Sequence, residues 1–104
     1  MTSAGVSLTG NLGITGDASL TTITAKTSGD RRHFYVSSSR TLTLKWLKLT
    51  GGSMLGSSPN DRGGSIYVSG TGSTLHATSC VFFLNTARWG GGVNNERGST
   101  LIQD

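Results

Sequence analysis

Histidine, cysteine, serine and the carboxylates are the side chains able to carry chemistry in this 104-residue chain, and their spacing speaks against most of it. His33 and His76 each stand without a second His or Cys at the short spacing a metal site needs, so both read as surface or corner residues. Cys80 is the only cysteine. It cannot form an internal disulfide, and within Cys80-Val81-Phe82-Phe83-Leu84 it reads as a small buried hydrophobe and not as a catalytic thiol. The five acids, Asp17, Asp30, Asp61, Glu96 and Asp104, are dispersed. Cleavage of a polysaccharide needs clustered carboxylates, or a carboxylate-held Ca²⁺ beside a base, and Asp61-Arg62 is the nearest approach to such a pair. A Ser, His, Asp combination can be drawn in any serine-rich chain and carries no weight. Gly70-Thr71-Gly72-Ser73-Thr74 lacks the lysine and following helix of a phosphate loop and reads as a turn. The expectation is a non-enzyme with no catalytic, metal-binding or cofactor-binding residue.

The elements that hold these residues are legible from composition. Sixteen glycines, one proline and 13% charged residues, with Ser and Thr abundant, favour strands and turns over helices in a single domain spanning 1–104. The formal charge of +4 favours anionic surfaces such as acidic glycans, lipopolysaccharide, phospholipid heads or nucleic acid. Only Arg31 and Arg32 among the basic residues are adjacent, and no aromatic-basic signature of a nucleic-acid module is present, so no specific nucleic-acid role is expected. No window of about 18 apolar residues exists to cross a membrane. The first ten residues lack the charged and apolar regions of a secretory signal, so an export signal lies outside this chain or is not used.

The densest stretch is Phe82-Phe83-Leu84-Asn85-Thr86-Ala87-Arg88-Trp89-Gly90-Gly91-Gly92-Val93, a strand end, an Asn corner and a glycine-rich return into the next strand. An earlier copy of the return is Gly63-Gly64-Ser65-Ile66-Tyr67-Val68. Each copy is followed by a matching strand start, Ser73-Thr74-Leu75 and Ser99-Thr100-Leu101. The Gly-Gly pairs lie 27 residues apart and the Ser-Thr-Leu triplets 26 apart, in the range of a repeat array of parallel strands, a β-solenoid. Equivalent positions in such a stack lie about 4.8 Å apart, so Gly suits a corner that must turn without a clash, and Asn can turn there while its amide bonds neighbouring coils. Neither glycine copy supplies the regularly placed Asp that a calcium-binding repeat needs.

Leu12, Ile14, Leu20 and Ile23 mark a first, irregular coil. Arg31-Arg32-His33-Phe34-Tyr35-Val36 opens a second, with Phe34 and Val36 on one face and a Ser37-Ser38-Ser39 corner after them. Leu42 and Leu44 share one parity, Leu47 and Leu49 the other, which requires two short strands separated by a bend near Lys45-Trp46. Residues 51–63 read as an extruded loop, including the isolated Met54-Leu55 pair. Cys80, Phe82 and Leu84 form a later run of equal parity. Thr22-Ile23-Thr24 and Thr41-Leu42-Thr43 read as outward-facing strand threonines.

Phe82-x-x-Asn85-Thr86-Ala87, running into Gly90-Gly91-Gly92-Val93, resembles the repeats of polymorphic outer membrane proteins of chlamydia-like bacteria. Those repeats combine Phe-x-x-Asn with Gly-Gly-Ala-(Ile/Leu/Val). Here Ser65 and Gly92 replace the Ala, and the resemblance covers roughly residues 63–104. It implies a right-handed parallel β-helix of the pectin-lyase-like superfamily and a role as a secreted adhesin passenger.

The expectation is therefore an all-β, right-handed parallel β-helix of about four coils, acting as a non-catalytic extracellular or cell-surface module. Its structural motif is Gly63, Gly64, Ile66, Phe82, Asn85, Ala87, Gly90, Gly91, Gly92 and Val93. Asn60, Asp61 and Arg62 are candidates for contact with a cell-surface receptor or glycan. Alternatives are a fibre subunit that stacks head to tail on itself, and a polysaccharide-binding or polysaccharide-cleaving protein.

Overall fold

The computed structural model describes residues 6–25, 29–56 and 61–103. They form thirteen short strands: β1 (Val6–Ser7), β2 (Leu12–Thr15), β3 (Thr21–Thr24), β4 (Phe34–Val36), β5 (Thr41–Lys45), β6 (Leu47–Thr50), β7 (Ser53–Met54), β8 (Ile66–Ser69), β9 (Thr74–Thr78), β10 (Val81–Phe83), β11 (Thr86–Ala87), β12 (Val93–Glu96) and β13 (Ser99–Gln103). No helix occurs among the described residues, and hence none long and apolar enough to cross a membrane.

All strand pairs are parallel, in sheets ordered β1-β4-β8-β12, β2-β5-β9-β13, β3-β6-β10 and β7-β11. The chain thus visits the same faces in the same order and lays each new circuit on the last. This all-β, parallel arrangement is compatible with a β-solenoid. Register follows the alternation of apolar residues: Leu42 lies between Leu12 and Leu75, Leu49 between Ile23 and Phe82, and Val36 beside Val68. The inward residues make one core of Leu8, Phe34, Val36, Leu42, Leu44, Leu47, Leu49, Ile66, Val68, Leu75 and Ala77. Each large aliphatic side chain there contributes about 1.5–3 kcal/mol. The threonines at 22, 24, 41 and 43 alternate with Ile23 and Leu42 and turn outward.

The bend between β5 and β6 is a single residue. Trp46 takes φ +55°, a left-handed conformation that turns the chain and resets its parity, so Leu42, Leu44, Leu47 and Leu49 all reach the core. Gly16 occupies the same corner one circuit earlier and Ser79 one circuit later. The Gly16 N–H donates to Lys45 O at 2.8 Å, and the Trp46 N–H to Thr78 O at 3.2 Å.

Several sequence-based expectations are corrected. Residues 51–63 are not wholly a loop, because Ser53–Met54 is a strand paired with Thr86–Ala87 and Met54 is fully buried. Leu84 does not join Cys80 and Phe82 at the core. It takes φ +56° at the corner after β10 and is 72% exposed. Cys80 is half-buried at the edge of the core, not enclosed in it. The 27-residue offset of the glycine pairs holds, with Val93 beside Ile66, but the Ser-Thr-Leu triplets do not superpose, since Ser99 pairs with Thr74 and Thr100 with Leu75. The intervening corner shrinks from Gly70-Thr71-Gly72-Ser73 to Arg97-Gly98, two residues fewer, so the offset between paired residues falls from 27 before the corner to 25 after it.

Candidate functional site

The motif residues converge on the corner after β10 and the return into β8 and β12. The Asn85 side chain spans two circuits: its Nδ2–H donates to the Leu49 carbonyl at 2.8 Å, and its Oδ1 accepts the Gly52 N–H at 2.9 Å. Without it, a half-buried donor and acceptor lose their partners. Gly63 and Gly90 have φ of +63° and +61° and occupy equivalent positions, where a side chain would strain the turn. A Cβ on Gly64 would run into the Gly91 carbonyl and the Thr86 backbone. The Gly92 carbonyl accepts the N–H groups of both Ser65 and Ile66 at 3.0 Å. Ile66 is fully buried, Val93 and Phe82 pack against the core, and Ala87 pairs with Met54.

Of the three residues expected to contact a partner, Asn60 lies outside the described residues. Asp61 and Arg62 belong to a cluster on the outward face of the β1-β4-β8-β12 sheet. The Arg62 guanidinium bonds the Glu96 carboxylate through Nη1, and its Nε lies 3.4 Å from Asp61 Oδ1, close enough for attraction but not aligned as a hydrogen bond. Hydrogen bonding with Tyr67, then the Glu96 and Asp61 charges, raise the Arg62 pKa above its ordinary value. Tyr67 stacks on Tyr35, with ring centroids 5.2 Å apart and planes inclined by 9°. The Arg32 guanidinium lies 5.2 Å from the Tyr67 ring and 5.7 Å from that of Tyr35, and its Nη2 donates to the Arg62 carbonyl at 2.8 Å. Burial lowers the Arg32 pKa, opposed by Tyr35, Tyr67, Asp30 and Asp61; the side chain is only 2% exposed.

Sequence reasoning missed this cluster because Asp61 and Glu96 are distant along the chain. The signal was the glycine offset, which places Asn94 beside Tyr67 and leaves Tyr67 and Glu96 on one outward face. Tyr35 and Tyr67 stand in register one circuit apart.

His33 was expected at a surface or corner and is instead 1% exposed. With Nε2–H donating to the Ile23 carbonyl at 3.0 Å, Nδ1 is left to accept the Ser65 hydroxyl at 2.9 Å. One imidazole thus ties together three successive circuits. Burial lowers its pKa, opposed by the carbonyls of Ile23 and Thr50, which favours the neutral ring. His76 stands half-buried beside Thr43 and Leu101. No group of three or more His, Cys, Asp or Glu able to hold a metal ion occurs among the described residues.

Comparison with protein-family models, with curated proteins and with solved structures returned no match.

Proposed function

We propose that the chain is a right-handed parallel β-helix of about four coils that acts as a non-catalytic extracellular module, structural or adhesive in role. The reading places it near the passenger repeats of polymorphic outer membrane proteins. The observation that supports it most is the engagement of the Phe-x-x-Asn and glycine motif residues with adjacent circuits, as in the Asn85 bonds to Leu49 and Gly52. Residues that hold one circuit to the next define a scaffold, and the scaffold's outward faces are then free to vary as contact surfaces. The Asp61-Arg62 segment belongs to such a face, beside the stacked tyrosines. Beads coated with the purified, folded chain should attach saturably to cell surfaces, and soluble chain should compete. No attachment to any of a panel of bacterial and eukaryotic cells would remove the adhesive half of the reading.

A second reading is a self-assembling fibre subunit. It is favoured by exposed apolar residues at both ends of the stack, Val6 and Leu12 on β1 and β2, and Leu101 and Ile102 on β13. Parallel edge strands of matching direction are templates for a second copy. Negative-stain electron microscopy across a concentration series should then show filaments. Isolated particles at the highest concentration would rule the fibre out.

A further inference from the structure

The outward face of β3-β6-β10 differs from the cluster around Arg62, because among the described residues its cations have aromatic rings and not carboxylates for neighbours. Ile23, Leu49 and Phe82 point inward, so Thr22, Thr24, Lys48, Thr50, Val81 and Phe83 point outward. The Lys48 ammonium lies 4.6 Å from the centroid of the Phe83 ring. At the adjoining corner the Lys45 ammonium lies 4.4 Å from the Trp46 ring. Val81 is 39% and Phe83 47% exposed. Among the described residues, the carboxylate on the same corner is Asp17, which belongs to the circuit before and is held by the N–H and hydroxyl of Ser19.

We propose that this face docks on an anionic lipid surface. Lys48, Phe83 and the exposed Val81 on one side of this sheet, with Lys45 and Trp46 at the corner beside it, match the layered chemistry of a bilayer boundary: phosphate oxygens for the ammonium groups, and the headgroup region below them for the rings. The excess of positive charge on the chain acts in the same direction. The lysines themselves argue against a sugar or a nucleobase. Each ammonium already covers a ring face, so a ligand that stacks would first displace the cation, whereas at a bilayer the ammonium moves outward to phosphate while the ring stays where it is.

The test is sedimentation of the whole chain with vesicles of phosphatidylcholine containing phosphatidylglycerol, against phosphatidylcholine alone. Binding is expected to the anionic vesicles only and to fall as salt rises. The variant Lys45→Gln/Lys48→Gln should partition about thirty-fold more weakly, at about 1 kcal/mol for each lysine near the surface. A control losing the same charge elsewhere, Arg88→Gln/Arg97→Gln, should fall much less, and Phe83→Ser should weaken binding with both lysines intact. In a Trp89→Phe background, the Trp46 emission should shift to the blue on anionic vesicles. Circular dichroism of each variant separates loss of binding from loss of fold. Equal loss in the arginine control, no blue shift, or retention on immobilised polygalacturonate or single-stranded DNA without binding to vesicles would each overturn the proposal.

Discussion

The middle and the ends of the stack place equivalent residues in very different surroundings. In the inward column that runs through Ile14, Leu44, Ala77 and Ile102, the two central members are fully buried, Ile14 is half-buried and Ile102 is 50% exposed. Leu42 and Leu75 are likewise buried while Leu12, in the same column, is 37% exposed. All of these face the interior. Burial therefore comes from the circuits on either side as much as from facing inward, and an inward position is only half covered when it has one neighbour. The stability of the molecule is concentrated between β4 and β9.

The largest break of that contrast is expected from Leu49→Ala, which empties a site enclosed by three circuits and should cost about 2–5 kcal/mol in chemical denaturation. Ile102→Ala, the same kind of truncation at the open end, should cost under about 1 kcal/mol, and equal losses would refute the contrast. Next is Gly64→Ala. Its added methyl meets backbone atoms of Gly91 and Thr86 that no rotamer change can move, and a loss of about 1–3 kcal/mol is expected. Asn85→Ala should cost about 1–2 kcal/mol by orphaning the Gly52 N–H and the Leu49 carbonyl, with faster amide exchange at Gly52 as its local signature.

The smallest effect is a pH dependence. The His33 pKa is lowered in the folded state below the ordinary 6.5, so the unfolded chain binds the extra proton first as acid is added. The stability tied to the neutral ring is complete above about pH 6.5 and declines as the pH falls below it toward the folded-state value. Melting temperatures should accordingly fall between pH 7 and pH 5, and His33→Gln should flatten that slope. An unchanged slope in the variant would assign the acid sensitivity elsewhere.

Much of this was legible in the sequence where a local rule and the stack agree. The parity slip at Lys45-Trp46 and the glycine offset of 27 each follow from a short-range constraint and are found where expected; at the Asn85 corner the amide bonds neighbouring circuits as expected, but Leu84 and not Asn85 takes the left-handed turn. The rest depends on which circuit lies next to which. Met54 lies in a two-residue strand, too short to show a period in the sequence, and only its pairing with Ala87 on the next circuit marks it as strand. Leu84 shares the parity of Phe82, but a left-handed residue resets parity, and nothing in Leu-Asn marks which of the two will turn. His33 and Ser65 are both polar and lie in unremarkable local sequence, and they meet only because 32 residues separate equivalent positions at that level of the stack. The Arg62 cluster was hidden for the same reason, its Glu96 partner lying 34 residues away.

Each sheet also lists its strands in the order of the chain, from β1 to β12 and from β2 to β13. Every circuit consequently needs only the one made before it as a template, and no later segment must be threaded back between earlier ones. A polypeptide delivered from its amino-terminal end, by synthesis or through a narrow pore, meets its partners in the order in which it emerges. Growth of the structure can keep pace with delivery of the chain, and each completed layer guards the one beneath it from water while the following residues arrive.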